Sequence, residues 1–274
     1  MLTVFNVENT SSKWKIMRFF SLNKVIVSYD ESCDIAIRNV SYVCRNGKID
    51  WQYAAKALGQ GRNCVLAPEQ LLLPQGCGIT RFLGQEYYSI MCCNFFFAVL
   101  NQAAKIGDIS RLKIGLYDET GAFATLLKKL LGYTSNLRVL TKTPEVYGRE
   151  NSKIFEETGA SAMVGTTPDF LRPCKIILAP GKISTPFEVE NSSVMLTSAK
   201  PNASLFCRVF YSYKIELPKK YRKAKPQFLT DEYFASGLFS VGGVYKLGGI
   251  VPEFCSGGNC TQTIASLAEG LQGE

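Results

Sequence analysis

The clearest alternation of apolar and polar positions lies between residues 112 and 180. Leu112–Tyr117 (LKIGLY) is a short apolar run. The following GAFATLLKKLLGY places Phe123, Leu126, Leu127, Leu130 and Leu131 on one helical face. Leu137–Thr141 reads as the next strand, Pro144 opens a helix to about residue 158, and 160–166 and 175–179 are two more apolar strands. Strand starts near 112, 137 and 161 carry the spacing of βαβ units. Right-handed crossovers then predict an α/β fold, a parallel sheet with helices on both faces.

Around this core the pattern predicts further parts. Residues 1–83 read as a smaller N-terminal α+β lobe, with strands at Lys13–Phe20, Lys24–Tyr29, Val40–Arg45 and Asn63–Ala67. An Asn-Gly turn lies in Arg45–Lys48, and Trp51–Leu58 reads as a short helix. Residues 84–107 form one long connecting helix, apolar nearly all round. Its most apolar stretch, Tyr87–Leu100, contains Asn94 and falls short of the ~20 residues of a membrane span, so a core helix is expected and no membrane. Residues 108–215 make the main α/β domain, and 216–274 a basic loop with helices at Thr230–Val244 and at Thr261–Leu271, the latter capped by Thr261.

Composition narrows the chemistry. With 274 residues, 46% apolar and 20% charged, the chain can bury a substantial core, which excludes wholesale disorder. The net charge is +8, yet Lys214–Lys225 (KIELPKKYRKAK) holds six bases and one acid, so most of the excess sits in one segment. A surface coated for nucleic acid is not expected, and a solvated loop is the default reading of the run. The absence of histidine excludes every mechanism with a histidine base, nucleophile or metal ligand. Ten cysteines contain no C-x-x-C pair. Cys255 and Cys260 in CSGGNC are the one suggestive pair, open to a disulfide or two metal ligands, with inert thiols as the default and no metal site expected. The start lacks the pattern of a secretory signal, which with scattered thiols predicts a cytoplasmic location.

Ligands of a parallel sheet bind beyond the carboxyl ends of its strands. The first such turn is Tyr117-Asp118-Glu119-Thr120-Gly121-Ala122-Phe123-Ala124. Gly121 and Ala124 stand where a dinucleotide turn needs small residues, but Asp118 takes the place of its first glycine. Asp118 and Glu119 put two carboxylates where a pyrophosphate would sit. An ordinary strand–helix turn capped by Asp118 or Thr120 is the competing reading.

The segments KIGLYDETGAFATLLKKLL, LRVLTKTPE, GASAMVGTTPDFL and KIILAPG together resemble the NAD(P)-binding Rossmann domains. The layout is similar to the two-lobed shikimate dehydrogenase and to the glutamyl-tRNA reductase nucleotide domain, over about a quarter of the chain. That resemblance implies a cofactor held by Thr120, Gly121, Ala122, Phe123 and Ala124, with Thr166, Thr167, Ala179 and Pro180 lining it. It also implies that the end of the second strand selects the cofactor. Thr141, Lys142 and Thr143 stand there with no acid among them, which favours the 2′-phosphate of NADP over NAD. The expected function is an NADP-preferring oxidoreductase acting on a small polar substrate in a cleft between lobes. The rival is a degenerate, non-catalytic sensor or interaction protein. A homodimer is compatible with either. No motif names a catalytic residue: Lys24, Asp30 and Lys200 are merely polar residues near strand ends. A Walker loop is excluded by spacing, and Tyr221-x-x-x-Lys225, bracketed by Pro218 and Pro226, is not the short-chain dehydrogenase pair.

Overall fold

The computed structural model describes residues 1–9, 23–44, 48–202, 204–242 and 245–272. The predicted strand Lys13–Phe20, the turn residues Arg45 to Gly47 and Gly243 lie outside them. The chain divides into two compact units, Met1–Gly84 with Glu216–Leu247, and Gln85–Ile215 with Gly248–Glu274.

Alternating burial decides the first unit. Its sheet holds β1 (Leu2–Asn9), β2 (Lys24–Asp30), β3 (Ile37–Cys44) and β4 (Val65–Leu66) in the order β2-β3-β1-β4. β2 runs antiparallel to β3, and the other pairs are parallel. Phe5, Val40, Tyr42 and Val65 leave one face and pack on Ala54, Ala55 and Leu58 of α1 (Trp51–Leu58). The Asp50 carboxylate caps that helix by accepting the Tyr53 N–H at 2.9 Å.

Unit two is built on α2 (Gln85–Ile106) and a six-stranded, wholly parallel sheet. Its strands are β5 (Ile114–Tyr117), β6 (Leu137–Leu140), β7 (Met163–Gly165), β8 (Ile176–Ala179), β9 (Val194–Thr197) and β10 (Arg208–Phe210). They lie in the order β10-β9-β8-β5-β6-β7, the Rossmann order, which reverses between β5 and β8. β5, β8 and β9 are buried at every position, as central parallel strands must be. The α/β expectation therefore holds, with a six-stranded parallel sheet flanked by helices and a smaller mixed sheet at the N-terminus.

The two halves of this sheet are connected differently. β5 leads through a single turn of 3₁₀ helix into the short α3 (Leu127–Leu131), and β6 leads into α4 (Pro144–Thr158). α4 opens with Pro144 at its first turn and ends at Gly159 in the left-handed conformation (φ 71°), the usual asymmetry of helix ends. From β7 to β10 the described links between strands contain no helix. α2 packs on β8 and β9 instead. By length and composition α2 would be able to cross a membrane, but ten of its residues are buried inside the protein. Asn94 sits in its apolar run because its amide donates to the carbonyls of Gly248 (2.6 Å) and Ile250 (2.9 Å).

The remaining elements are α5 (Lys219–Arg222), α6 (Asp231–Gly242), α7 (Tyr245–Gly248) and α8 (Ile264–Gly270), with an antiparallel sheet of β11 (Ser212–Lys214), β12 (Phe254–Gly257) and β13 (Cys260–Thr263). The helix expected from Thr261 starts instead at Ile264. Gly258-Asn259 is a two-residue hairpin loop, so Thr261 lies in β13, and Thr263 caps α8 in a reciprocal pairing with Ser266. Gly257 must be glycine, since a Cβ would stand 1.8 Å from the Val209 carbonyl oxygen.

Candidate functional site

The carboxyl ends of β5, β6 and β7 converge on the turn that follows β5. Asp118 is 2% exposed, and its carboxylate turns inward under that turn. It accepts the Phe123 N–H at 2.8 Å, the Thr120 N–H at 3.2 Å and the Thr120 hydroxyl at 3.3 Å. Tyr147, buried on α4, donates its hydroxyl to the same group at 2.7 Å. Burial and the adjoining Asp118 carboxylate both raise the Tyr147 phenol far above its ordinary pKa, so it is a fixed donor. Gly121 has φ +77° and lies against Thr143 and Val146, where a Cβ would come within 2.9 and 3.1 Å of their atoms. The helix behind this turn is only five residues long, which leaves little dipole to attract an anion.

Glu119 is held with equal thoroughness. Its side chain is 14% exposed and accepts the N–H groups of Ser184 and Thr185, both at 3.0 Å. The Ser184 hydroxyl (2.5 Å), the Tyr117 hydroxyl and the Lys142 ammonium (3.0 Å) complete the set. Burial alone would raise its pKa, but the bonds from Ser184, Tyr117 and Lys142 outweigh it and hold the carboxyl at about 2. Lys142 also donates to the Thr185 hydroxyl at 2.7 Å. The Tyr117 ring stacks on Phe187 with centroids 4.5 Å apart. The link after β8 is thereby folded over the ends of β5 and β6.

The residues singled out from the sequence are distributed around this arrangement. Thr141, Lys142 and Thr166 line a cavity of about 50 Å³ together with Tyr117, Glu119 and Phe187. That is room for a few water molecules, against the ~300 Å³ or more of a typical ligand pocket. Thr141 is 3% exposed, and its hydroxyl accepts the Thr143 N–H at 3.1 Å and meets the Thr143 hydroxyl at 3.2 Å. The turn donors of Thr120 and Phe123 face Asp118, Ala124 is buried, and Ala122 is exposed. Thr167 lies exposed beside Thr166. Ala179 is fully buried, and the Pro180 carbonyl accepts the Ser89 hydroxyl at 2.7 Å. Tyr147, Ser184 and Thr185 hold the two carboxylates here and were not expected from the sequence. Pro144 starts the helix that carries Tyr147, but no local pattern points to Ser184 or Thr185 as the ligands of Glu119.

Four of the thiols are muted. Burial pushes the thiols of Cys93, Cys174 and Cys255 up to about 12 and that of Cys207 to about 11, far from the range of a reactive thiolate.

No protein-family model matches this chain, and no curated protein matches it. Among solved structures, L-tryptophan dehydrogenase from Nostoc punctiforme is similar over 98% of this chain and 79% of its own, at 9% identity and a TM-score of 0.31, a likeness too low to carry an argument.

Proposed function

We propose that this chain is a Rossmann-like protein whose dinucleotide edge is closed by its own carboxylates, and that it acts as a non-catalytic sensor or interaction module. The observation that carries this reading is the Asp118 carboxylate, which accepts the turn N–H groups of Thr120 and Phe123. A pyrophosphate entering here would meet two carboxylates, and a like-charge pair about 4 Å apart costs about 4 kcal/mol at an effective dielectric of 20. Recruiting Lys142 to a 2′-phosphate would also strip Glu119 of its counter-charge.

A second reading is an NADP-preferring oxidoreductase acting on a small polar substrate. It is favoured by the convergence of Thr141, Lys142 and Thr166 on one cavity at the carboxyl ends of the strands. A thermal-shift panel with NADPH, NADH, FAD, S-adenosylmethionine and ATP separates the two. A ligand at 100 times its Kd adds about 2.7 kcal/mol and raises the Tm by several degrees. The closed-edge reading predicts a flat panel at millimolar ligand. A rise with NADPH well above NADH, abolished by Lys142→Glu, would replace it with the oxidoreductase reading.

A further inference from the structure

A second polar site lies wholly within the first unit and owes nothing to the dinucleotide edge. The register of β1, β2 and β3 aligns Val4, Asn39 and Ser28 in one row and Asn6 with Ser41 in the next. These side chains leave the face opposite Phe5, Val40 and Tyr42, because neighbours along a strand alternate. The basic segment from Lys223 to Phe228 borders this face and leaves a pocket of about 260 Å³. Asn6, Ser28, Asn39, Ser41, Lys223 and Lys225 line it, and no acid is among its described lining residues.

The charges of the basic run are not equivalent. Lys220 is paired with Asp34, Arg222 with Glu216 and Lys225 with Asp231. Lys225 also donates to the Leu229 carbonyl at 2.9 Å, which fixes its ammonium in place. Lys223 lines the pocket, is exposed, and forms no ion pair among the described residues. Within the wall, the Asn39 Oδ1 is buried and has no hydrogen-bond partner among the described residues.

We propose that this pocket binds a small hydroxylated phosphomonoester. Ammonium, hydroxyl and carboxamide donors crowd a wall with no carboxylate among its described lining residues, which suits a ligand rich in acceptors. A phosphomonoester carries about −1.5 to −2 charge near pH 7 on three acceptor oxygens, matching Lys223 and the shared Lys225. Its hydroxyl suits the Asn6, Ser28 and Ser41 side chains, and Phe228, 38% exposed, offers an apolar wall to its carbon chain.

Isothermal titration of the full chain with glycerol 3-phosphate, glycerol and lactate tests this. Glycerol 3-phosphate is expected to bind, glycerol to give no heat, and lactate to bind at least about tenfold more weakly. Lys223→Glu, at an exposed position, should weaken glycerol 3-phosphate by about tenfold or more, while Lys219→Glu on the same run should not. No heat from glycerol 3-phosphate, or binding unchanged in Lys223→Glu, overturns the site. Equal affinity for lactate overturns the phosphate assignment. Binding lost in Lys142→Met but retained in Lys223→Glu moves the anion to the Rossmann edge and overturns it too.

Discussion

The turn after β5 and the pocket on the N-terminal sheet both gather hydrogen-bond donors, and they employ them in opposite ways. At the turn, the donors of Thr120, Phe123 and Tyr147 point at Asp118, and those of Ser184, Thr185, Tyr117 and Lys142 point at Glu119. Each acid is nearly enclosed by its partners. In the N-terminal pocket, two lysines and four amide or hydroxyl side chains line a space with no acid among its described lining residues, and only one of the two lysines is in an ion pair among the described residues. An anion site is thus sought where a cation has no acid partner, not at a glycine in the expected place of a motif. The first region has converted its donors into stability, whereas the second keeps one cation, Lys223, without an ion pair among the described residues.

The largest effect should come from breaking the first region. Asp118→Ala leaves the Thr120 and Phe123 N–H groups and the Tyr147 hydroxyl without their acceptor, and should destabilise the fold by about 3–4 kcal/mol in urea unfolding. Asp118→Asn keeps one oxygen and should cost about half as much. A loss below about 1 kcal/mol in the alanine variant would mean that this carboxylate does not hold the turn closed.

Glu119 gives a smaller, pH-dependent effect. Its folded pKa of about 2 lies below the unfolded value near 4.5. The stabilisation is therefore present in full above about pH 4.5 and is lost as pH falls towards 2; its size is on the order of 3 kcal/mol. The wild type should lose stability over that window more steeply than Glu119→Gln, in which the titrating group is gone. Parallel pH profiles of the two proteins would show that the Ser184, Thr185 and Lys142 contacts do not favour the charged form.

Much of the second unit was legible in the sequence because its signals are local. Each β-strand of the Rossmann half is an apolar run bounded by a turn, and Pro144 and Gly159 mark the ends of α4. The hairpin at Cys260–Thr263 was written in Gly258-Asn259 but was masked by the helical face of Ile264, Leu267, Ala268 and Leu271, which continues the pattern backwards. The carboxylates of Asp118 and Glu119 could be seen as misplaced for a pyrophosphate. What satisfies them could not, since Glu119 takes its donors from residues 65 and 66 positions further along. The N-terminal pocket escaped for the same reason. Its basic wall lies far along the chain from its strands, so nothing short of the folded register brings Lys223 to Asn39 and Ser41.

The smallest expected effect sharpens the contrast most. If the lysine of the pocket is held for a ligand, it should contribute almost nothing to the empty fold. Lys223 is exposed and has no ion-pair partner among the described residues, so reversing its charge breaks no contact seen in the structure. Substitutions at exposed, uncoupled positions rarely move stability appreciably. Lys223→Glu should therefore leave the midpoint of urea unfolding where it is in the absence of ligand, and lower it only when glycerol 3-phosphate is present to stabilise the wild type. A shift of the midpoint without ligand, comparable to that of Asp118→Asn, would make Lys223 a structural group. The two regions would then be alike, both with their donors committed within the chain.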